Sequence, residues 1–261
     1  MQAISTPASV TDAEVTKKPL IFIMGVAAYL TGVSGLLALI LAMGGLLPLG
    51  AIMPLTDRPW AALVINALLV GLFGLQHTIM ARPAFKERLT RIIPAACERS
   101  AFVFVTGIIA MLIVALWQPV GGVLWQAAPG TAAIIAWSAF AFGWTYLLAA
   151  TFAIDHFDLF GLRQTWLAAV GRPYTKVRFK EHWMYRISRH PIMAGAVIGF
   201  WCAPTMTMTN MTMAALFTAY VFIGIRFEER DLVGEFGQDY ISYRQRVGML
   251  FTVGRQAGPA A

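Results

Sequence analysis

The chain has 261 residues, 58% of them hydrophobic and 13% charged, with a mean hydropathy of +0.67 and a formal charge of +7. Soluble domains are about 45–50% apolar and about 25% charged, so a water-exposed fold of this composition would lack the polar cover it needs. The apolar runs are long and show no period-two alternation, which excludes a β-barrel and leaves α-helices as the elements that cross a bilayer.

In chain order, residues 1–16 are polar. Lys17 and Lys18 then precede an apolar run too long for the core of a signal peptide, so no cleaved leader is expected. Residues 20–47 carry no charge and form the first span, with glycines that suit close helix packing. A second span lies between Arg58 and Arg82, interrupted only by Asn66, Gln76 and His77. Residues 100–154 are free of charge. Pro119, Gly121, Gly122, Pro129 and Gly130 divide them into spans over 100–117 and 131–154. The last charge-free stretch, 191–225, reads as a hairpin with arms 191–203 and 211–225, either arm short for a full crossing. The expected fold is an all-α polytopic membrane protein with about six transmembrane helices, in one domain over 1–261.

With six crossings, nineteen of the twenty Lys and Arg fall on one side and only Arg58 on the other. By the positive-inside rule both termini are cytoplasmic. The basic excess is explained by topology and anionic lipid, which leaves no module for nucleic acid. Cys97 and Cys202 show no disulfide pattern, and neither a metal site nor a protein partner is expected.

Three segments carry candidate chemistry. Residues 155–190 hold His156, His182 and His190 beside Asp155, Asp158, Arg163, Arg186 and Arg189. The plainer reading of the aromatic and polar run at 155–164 is an interfacial connector. Arg189-His190-Pro191 opens a span; proline suits the first turn, and the helix start favours a carboxylate. Glu228 and Glu229 lie just past a span, as a salt-bridged helix end or as an anionic wall for a cationic or polyhydroxyl ligand.

Arg189-His190-Pro191, Gly195, Glu228-Glu229, Phe236-Gly237, Tyr240 and Tyr243 together resemble the isoprenylcysteine carboxyl methyltransferase family of membrane enzymes. Two further segments narrow this. Gln76-His77-Thr78, and the run from Asp155-His156-Phe157-Asp158 to Arg163-Gln164, resemble bacterial methanethiol S-methyltransferases, which make dimethyl sulfide. The resemblance implies S-adenosylmethionine as methyl donor and a small thiol as acceptor. Residues 180–250 would form the cofactor region and 60–170 the substrate side. It places His182, Tyr185, Arg189, His190, Pro191, Gly195, Glu228 and Glu229 at the cofactor. Gln76, His77, Arg163 and Gln164 fall at the substrate.

In such a reaction a thiolate attacks a methyl carbon in line. Positioning supplies much of the rate, and a base assists because a thiol titrates near about 8.5 or above. His156 with Asp155 or Asp158 is the first candidate assembly and His77 the second. Competing readings are a membrane reductase of the sterol-reductase kind using NADPH, a small-molecule transporter, and a non-catalytic scaffold. The transporter lacks an inverted repeat and an intramembrane acid; the scaffold leaves the clustered His, Asp and Glu unexplained.

Overall fold

The computed structural model describes residues 12–50, 54–175 and 183–252. Ten α-helices fill it: α1 (Asp12–Met43), α2 (Pro59–Ala81), α3 (Pro83–Leu89), α4 (Glu98–Leu116), α5 (Thr131–Ile154), α6 (His156–Leu159), α7 (Leu162–Ala169), α8 (Pro191–Trp201), α9 (Met208–Phe236) and α10 (Gln238–Arg246). Five are long and apolar enough to cross a membrane, carried by α1, α2, α4, α5 and α9. Their outer faces stay apolar, with Leu68 and Ile134 about two-thirds exposed (67% and 68%), as lipid contact requires. The chain is an all-α polytopic membrane protein.

The spans of the first 154 residues fall where charge gaps and Pro/Gly breaks put them. The hairpin does so in its first, short arm but not in its second. Its first arm is α8, whose 11 residues reach only ~16 Å; its second arm continues through Glu228 and Glu229 to form the 29-residue α9. The charge gap ended the expected arm at 225, but the i→i−4 ladder does not stop at a charged residue that can leave the lipid. Beyond α8 the chain extends into β2 (Thr205–Thr207), which pairs antiparallel with β1 (Val123–Gln126) from the α4–α5 connection.

Two helix pairs dominate the packing, α1 on α4 and α5 on α8, and glycine sets both distances. A Cβ at Gly35 would stand 2.5 Å from the Gly107 carbonyl oxygen, and one at Gly143 would stand 2.4 Å from the Gly199 nitrogen. Such small-residue contacts bring backbones together where no hydrophobic force acts between helices in lipid. Between the pairs lies a core that includes Met43, Ile113, Trp117, Phe140, Trp144, Phe200 and Phe217. Near its uncharged end Asn66 and Gln118, both fully buried, exchange two hydrogen bonds of 2.8 Å, which satisfies the polar interruption of α2. The opposite end gathers α3, α6, α7 and α10, and it is the charged one.

Candidate functional site

At the charged end the start of α8 is tied to the inner stretch of α9 by a buried ionic network. Pro191 occupies the first turn of α8 and is fully buried, with His190 as its N-cap. Arg189 Nε donates to Glu229 Oε1 at 2.7 Å, and its Nη1 donates to the carbonyls of Arg244 and Val247. His190 Nε2 lies 3.2 Å from Glu229 Oε1, and Arg244 Nε lies 3.5 Å from Glu229 Oε2. Backbone bonds from Arg189 to Gly248 and from His190 to Met249 fix the same corner.

The two adjacent acids therefore differ. Glu229 is buried beside Arg189 and Arg244, whereas Glu228 is half-exposed (48%) and, among the described residues, pairs with His190 Nδ1 at 3.4 Å. Glu228 is the acid open to a ligand. Tyr185 stands close by, buried; burial first, and Glu228 second, push its hydroxyl pKa up. From α10, Tyr243 donates to the Tyr185 carbonyl at 2.7 Å. Tyr240 is 4% exposed, its hydroxyl has no hydrogen-bond partner among the described residues, and burial with the charge of Glu229 pushes its pKa up to about 12. A buried, unsatisfied hydroxyl is unfavourable by about 1–3 kcal/mol, so it marks a place for a polar guest.

Not every expected cofactor residue meets this corner. Gly195 lies against α5, where a Cβ would come within 2.5 Å of the Leu147 nitrogen, so its smallness serves helix packing. Arg189 is engaged by Glu229 and two carbonyls, so it fixes the corner. His182 lies outside the described residues.

His77, one turn before the end of α2, stands among aromatic rings. Phe73 stacks on it at 5.6 Å and 17°, Phe102 tilts over it at 4.7 Å, and Tyr220 meets it edge-on at 6.3 Å. Its Nδ1 is buried without a partner. Tyr220 and Glu228 both belong to α9, eight residues apart, which links this wall to the corner above. Gln76 does not reach into the wall. It spans α2 and α4 through Met80 Sδ at 3.1 Å and Thr106 Oγ1 at 3.3 Å.

The 155–175 segment forms a separate unit. Asp155 caps α6 by accepting from the Asp158 amide at 3.1 Å. Asp158 takes Arg163 at 2.8 Å and the Tyr174 hydroxyl at 3.2 Å, and this hydrogen bond raises the Arg163 pKa. Gln164 Nε2 donates to the Asp158 carbonyl at 3.0 Å, while its Oε1 has no partner. His156 is buried (4% exposed) and pairs with neither carboxylate. Its ring nitrogens meet Tyr29 Oη at 3.0 Å and Thr151 Oγ1 at 2.8 Å, under the stacked ring of Phe152. The expected His–Asp assembly is thus a His held by two hydroxyls, because the capping and ion-pair bonds of the short α6 use both carboxylates.

A cavity of about 510 Å³ opens beside this unit, lined by Asp158 and Gln164 together with Lys86, Arg99 and Arg172. Arg99, Phe73, Phe102, Tyr220 and Tyr29 are the site neighbours that sequence reading missed. Tyr29 and Tyr220 carried a signal, each being the lone tyrosine of an apolar span. The phenylalanines carried none.

The chain is 41% identical to "Methanethiol S-methyltransferase" of Mycobacterium tuberculosis, over 72% of this chain and 78% of the relative. "Methanethiol S-methyltransferase 1" of Bradyrhizobium diazoefficiens is 40% identical, over 88% of this chain and 81% of its own.

The chain belongs to the methanethiol S-methyltransferase family.

A second relative from B. diazoefficiens, "Methanethiol S-methyltransferase 2", is 42% identical over 72% of this chain and 73% of its own. No protein-family model matches the chain, and no solved structure gives a significant match. For a methanethiol S-methyltransferase family member, the charged end is the part with open polar groups beside an aromatic wall.

Proposed function

We propose that this enzyme transfers a methyl group from S-adenosylmethionine to methanethiol, giving dimethyl sulfide, at the cytoplasmic face of a bacterial inner membrane. The observation that carries the reading is the identity of about two-fifths, over most of both chains, to relatives of that name. The sidedness rests on the gathering of nearly all Lys and Arg at the charged end.

The residues at the corner suit the donor. Glu228 is the half-exposed acid for an ammonium or ribose hydroxyls, the orphaned Tyr240 hydroxyl awaits a polar partner, and α8 offers first-turn amides beside His190. The bound donor supplies a methyl group already activated on a positively charged sulfur. Arg189 and Glu229 hold the start of α8 and the Glu228 backbone in one place, which is positioning of the kind worth up to ~7–11 kcal/mol.

His77 fits the thiol-activating role better than His156. Its Nδ1 has no hydrogen bond to break among the described residues, and the rings of Phe73, Phe102 and Tyr220 exclude water around a small apolar guest. Its imidazole takes the thiol proton as sulfur attacks. His156 holds α1, α5 and α6 together from behind. Residues 183–250 act on the donor, while α2 and α4 shape the thiol pocket.

The test is purified protein in detergent, supplied with S-adenosylmethionine and methanethiol, with headspace dimethyl sulfide as readout. Saturable product formation, abolished in Glu228→Ala, is expected. Saturable NADPH binding without dimethyl sulfide would sink the reading and favour the reductase.

A further inference from the structure

The cavity at the charged end has no part in the site just described. None of Tyr185, His190, Glu228 or Tyr240 lines it, and at about 510 Å³ it is far too large for a one-carbon thiol. Part of its lining is apolar, from Ile154, Leu159, Leu167 and Ala168, and part is cationic, from half-buried Arg99 and the more open Lys86 and Arg172.

The two acids on the lining are already answered. Asp158 accepts from Arg163 and Tyr174, and Glu98 stands 3.6 Å from Lys86. Arg99 feels the charge of both acids but forms an ion pair with neither. Its Nε donates to the Leu159 carbonyl at 2.7 Å and its guanidinium lies 4.7 Å over the Phe102 ring, but it meets no carboxylate among the described residues. A half-buried guanidinium at the foot of a membrane helix is unfavourable unless an anion completes it. Guanidinium favours phosphate, which it grips with paired N–H groups. The buried Gln164 Oε1, an acceptor without a donor, adds a place for a hydroxyl on the same guest.

The surroundings place that guest at the lipid interface. Trp166, Phe157 and Val170 around the cavity are about half-exposed, and Ile92 is 83% exposed, the amphipathic profile of a segment lying in the headgroup layer. Basic pockets between transmembrane helices take anionic headgroups.

We propose that this cavity is a second ligand site, taking a phosphate-bearing headgroup with Arg99 as its anchor, Lys86 and Arg172 in support, and an acyl chain over the apolar part of the lining. A sulfonium-bearing methyl donor is disfavoured there, because the uncompensated charge of the lining is positive.

The experiment titrates the full-length protein in neutral detergent with dioctanoyl phosphatidylglycerol, dioctanoyl phosphatidylcholine, inorganic phosphate and S-adenosylmethionine, reading the thermal midpoint. Phosphatidylglycerol should raise the midpoint saturably, and phosphatidylcholine should do so far less. Arg99→Gln should weaken the apparent affinity about tenfold or more, whereas Arg88→Gln, an exposed basic residue of α3 off the lining, should leave it unchanged. Should Arg99→Gln fail to fold, Arg172→Gln on the exposed part of the lining is read instead and should weaken binding several-fold. An equal shift with inorganic phosphate identifies free phosphate as the source, and its absence identifies the lipid. Unchanged affinity in the foldable cavity variant overturns the proposal, as does an equal loss in Arg88→Gln. Displacement of phosphatidylglycerol by S-adenosylmethionine also overturns it, whatever the methylation assay gives.

Discussion

The Nδ1–H of His156 donates to Thr151 Oγ1. Thr151 has a single hydroxyl proton, which goes to the Leu148 carbonyl at 2.6 Å, so its oxygen can only accept from the ring 2.8 Å away. Nε2 therefore carries the lone pair and accepts from Tyr29 at 3.0 Å, so the neutral ring satisfies both neighbours.

Charging this ring is unfavourable. Burial lowers the His156 pKa below its ordinary ~6.5, with Asp155 offsetting only part. Between the lowered value and ~6.5 the unfolded chain binds more protons than the folded one, so stability rises with pH and is lost as pH falls below ~6.5. The thermal midpoint measured from pH 5 to 8 should decline on the acid side, and His156→Gln should flatten that decline. A decline of equal depth in the variant would assign it to other groups.

Removing either partner should act on stability. Tyr29→Phe should lose about 1 kcal/mol, the usual worth of a hydrogen bond, while keeping measurable turnover. Its midpoint and dimethyl sulfide rate are to be read together; complete loss of turnover at an unchanged midpoint would return His156 and Tyr29 to the chemistry.

His77 should behave in the opposite way. His77→Asn is expected to retain donor affinity and most stability but to lose about 10²–10⁴ in kcat. Raising the assay pH toward the thiol's own ionisation should recover part of that loss, because a thiolate no longer needs the base. A merely structural role would leave the pH profile unmoved.

The neighbouring acids offer a matched pair. Glu229→Leu takes the carboxylate from Arg189 in a buried corner and should cost about 3–5 kcal/mol. Glu228→Gln should leave the midpoint within about 0.5 kcal/mol and raise KM for the methyl donor. Equal destabilisation by the two would contradict the division of roles.

Tyr240→Phe removes a buried hydroxyl with no partner, so the ligand-free protein should be as stable or slightly more so. Donor affinity should fall by several-fold, read by isothermal titration. A loss of stability without any change in affinity would show that the hydroxyl has a structural partner.

Much of this was legible before any coordinates. Charge is expensive in lipid, so the gaps from Arg58 to Arg82 and from 100 to 154 printed the spans directly, and proline at 191 printed a helix start. The rule failed at Arg226, where α9 carries its charges beyond the apolar layer without unwinding. At the site, motif resemblance found His190, Glu228 and Tyr240 but could not separate Glu228 from Glu229, because adjacent helical positions point about 100° apart and only packing decides which one is buried. It paired His156 with its neighbours in sequence, whereas the actual partners come from one turn back at Thr151 and from α1 at Tyr29. Residues such as Phe102 look like any other membrane phenylalanine until the fold sets them beside a histidine.

The strand pair beyond α8 carries a reading of the chain's parity. Helices long enough to cross number five among the described residues, and an odd number would leave the two ends of the chain on opposite sides. But α8 starts in the charged corner with Glu229, and β2, a few residues past its end, joins β1 between α4 and α5 at the far side. We propose that the extended residues complete the traverse that the helix begins, which would make the count even. Topology reporters fused before residue 12 and after residue 252 should therefore give the same signal, although a hydropathy scan alone would forecast opposite ones.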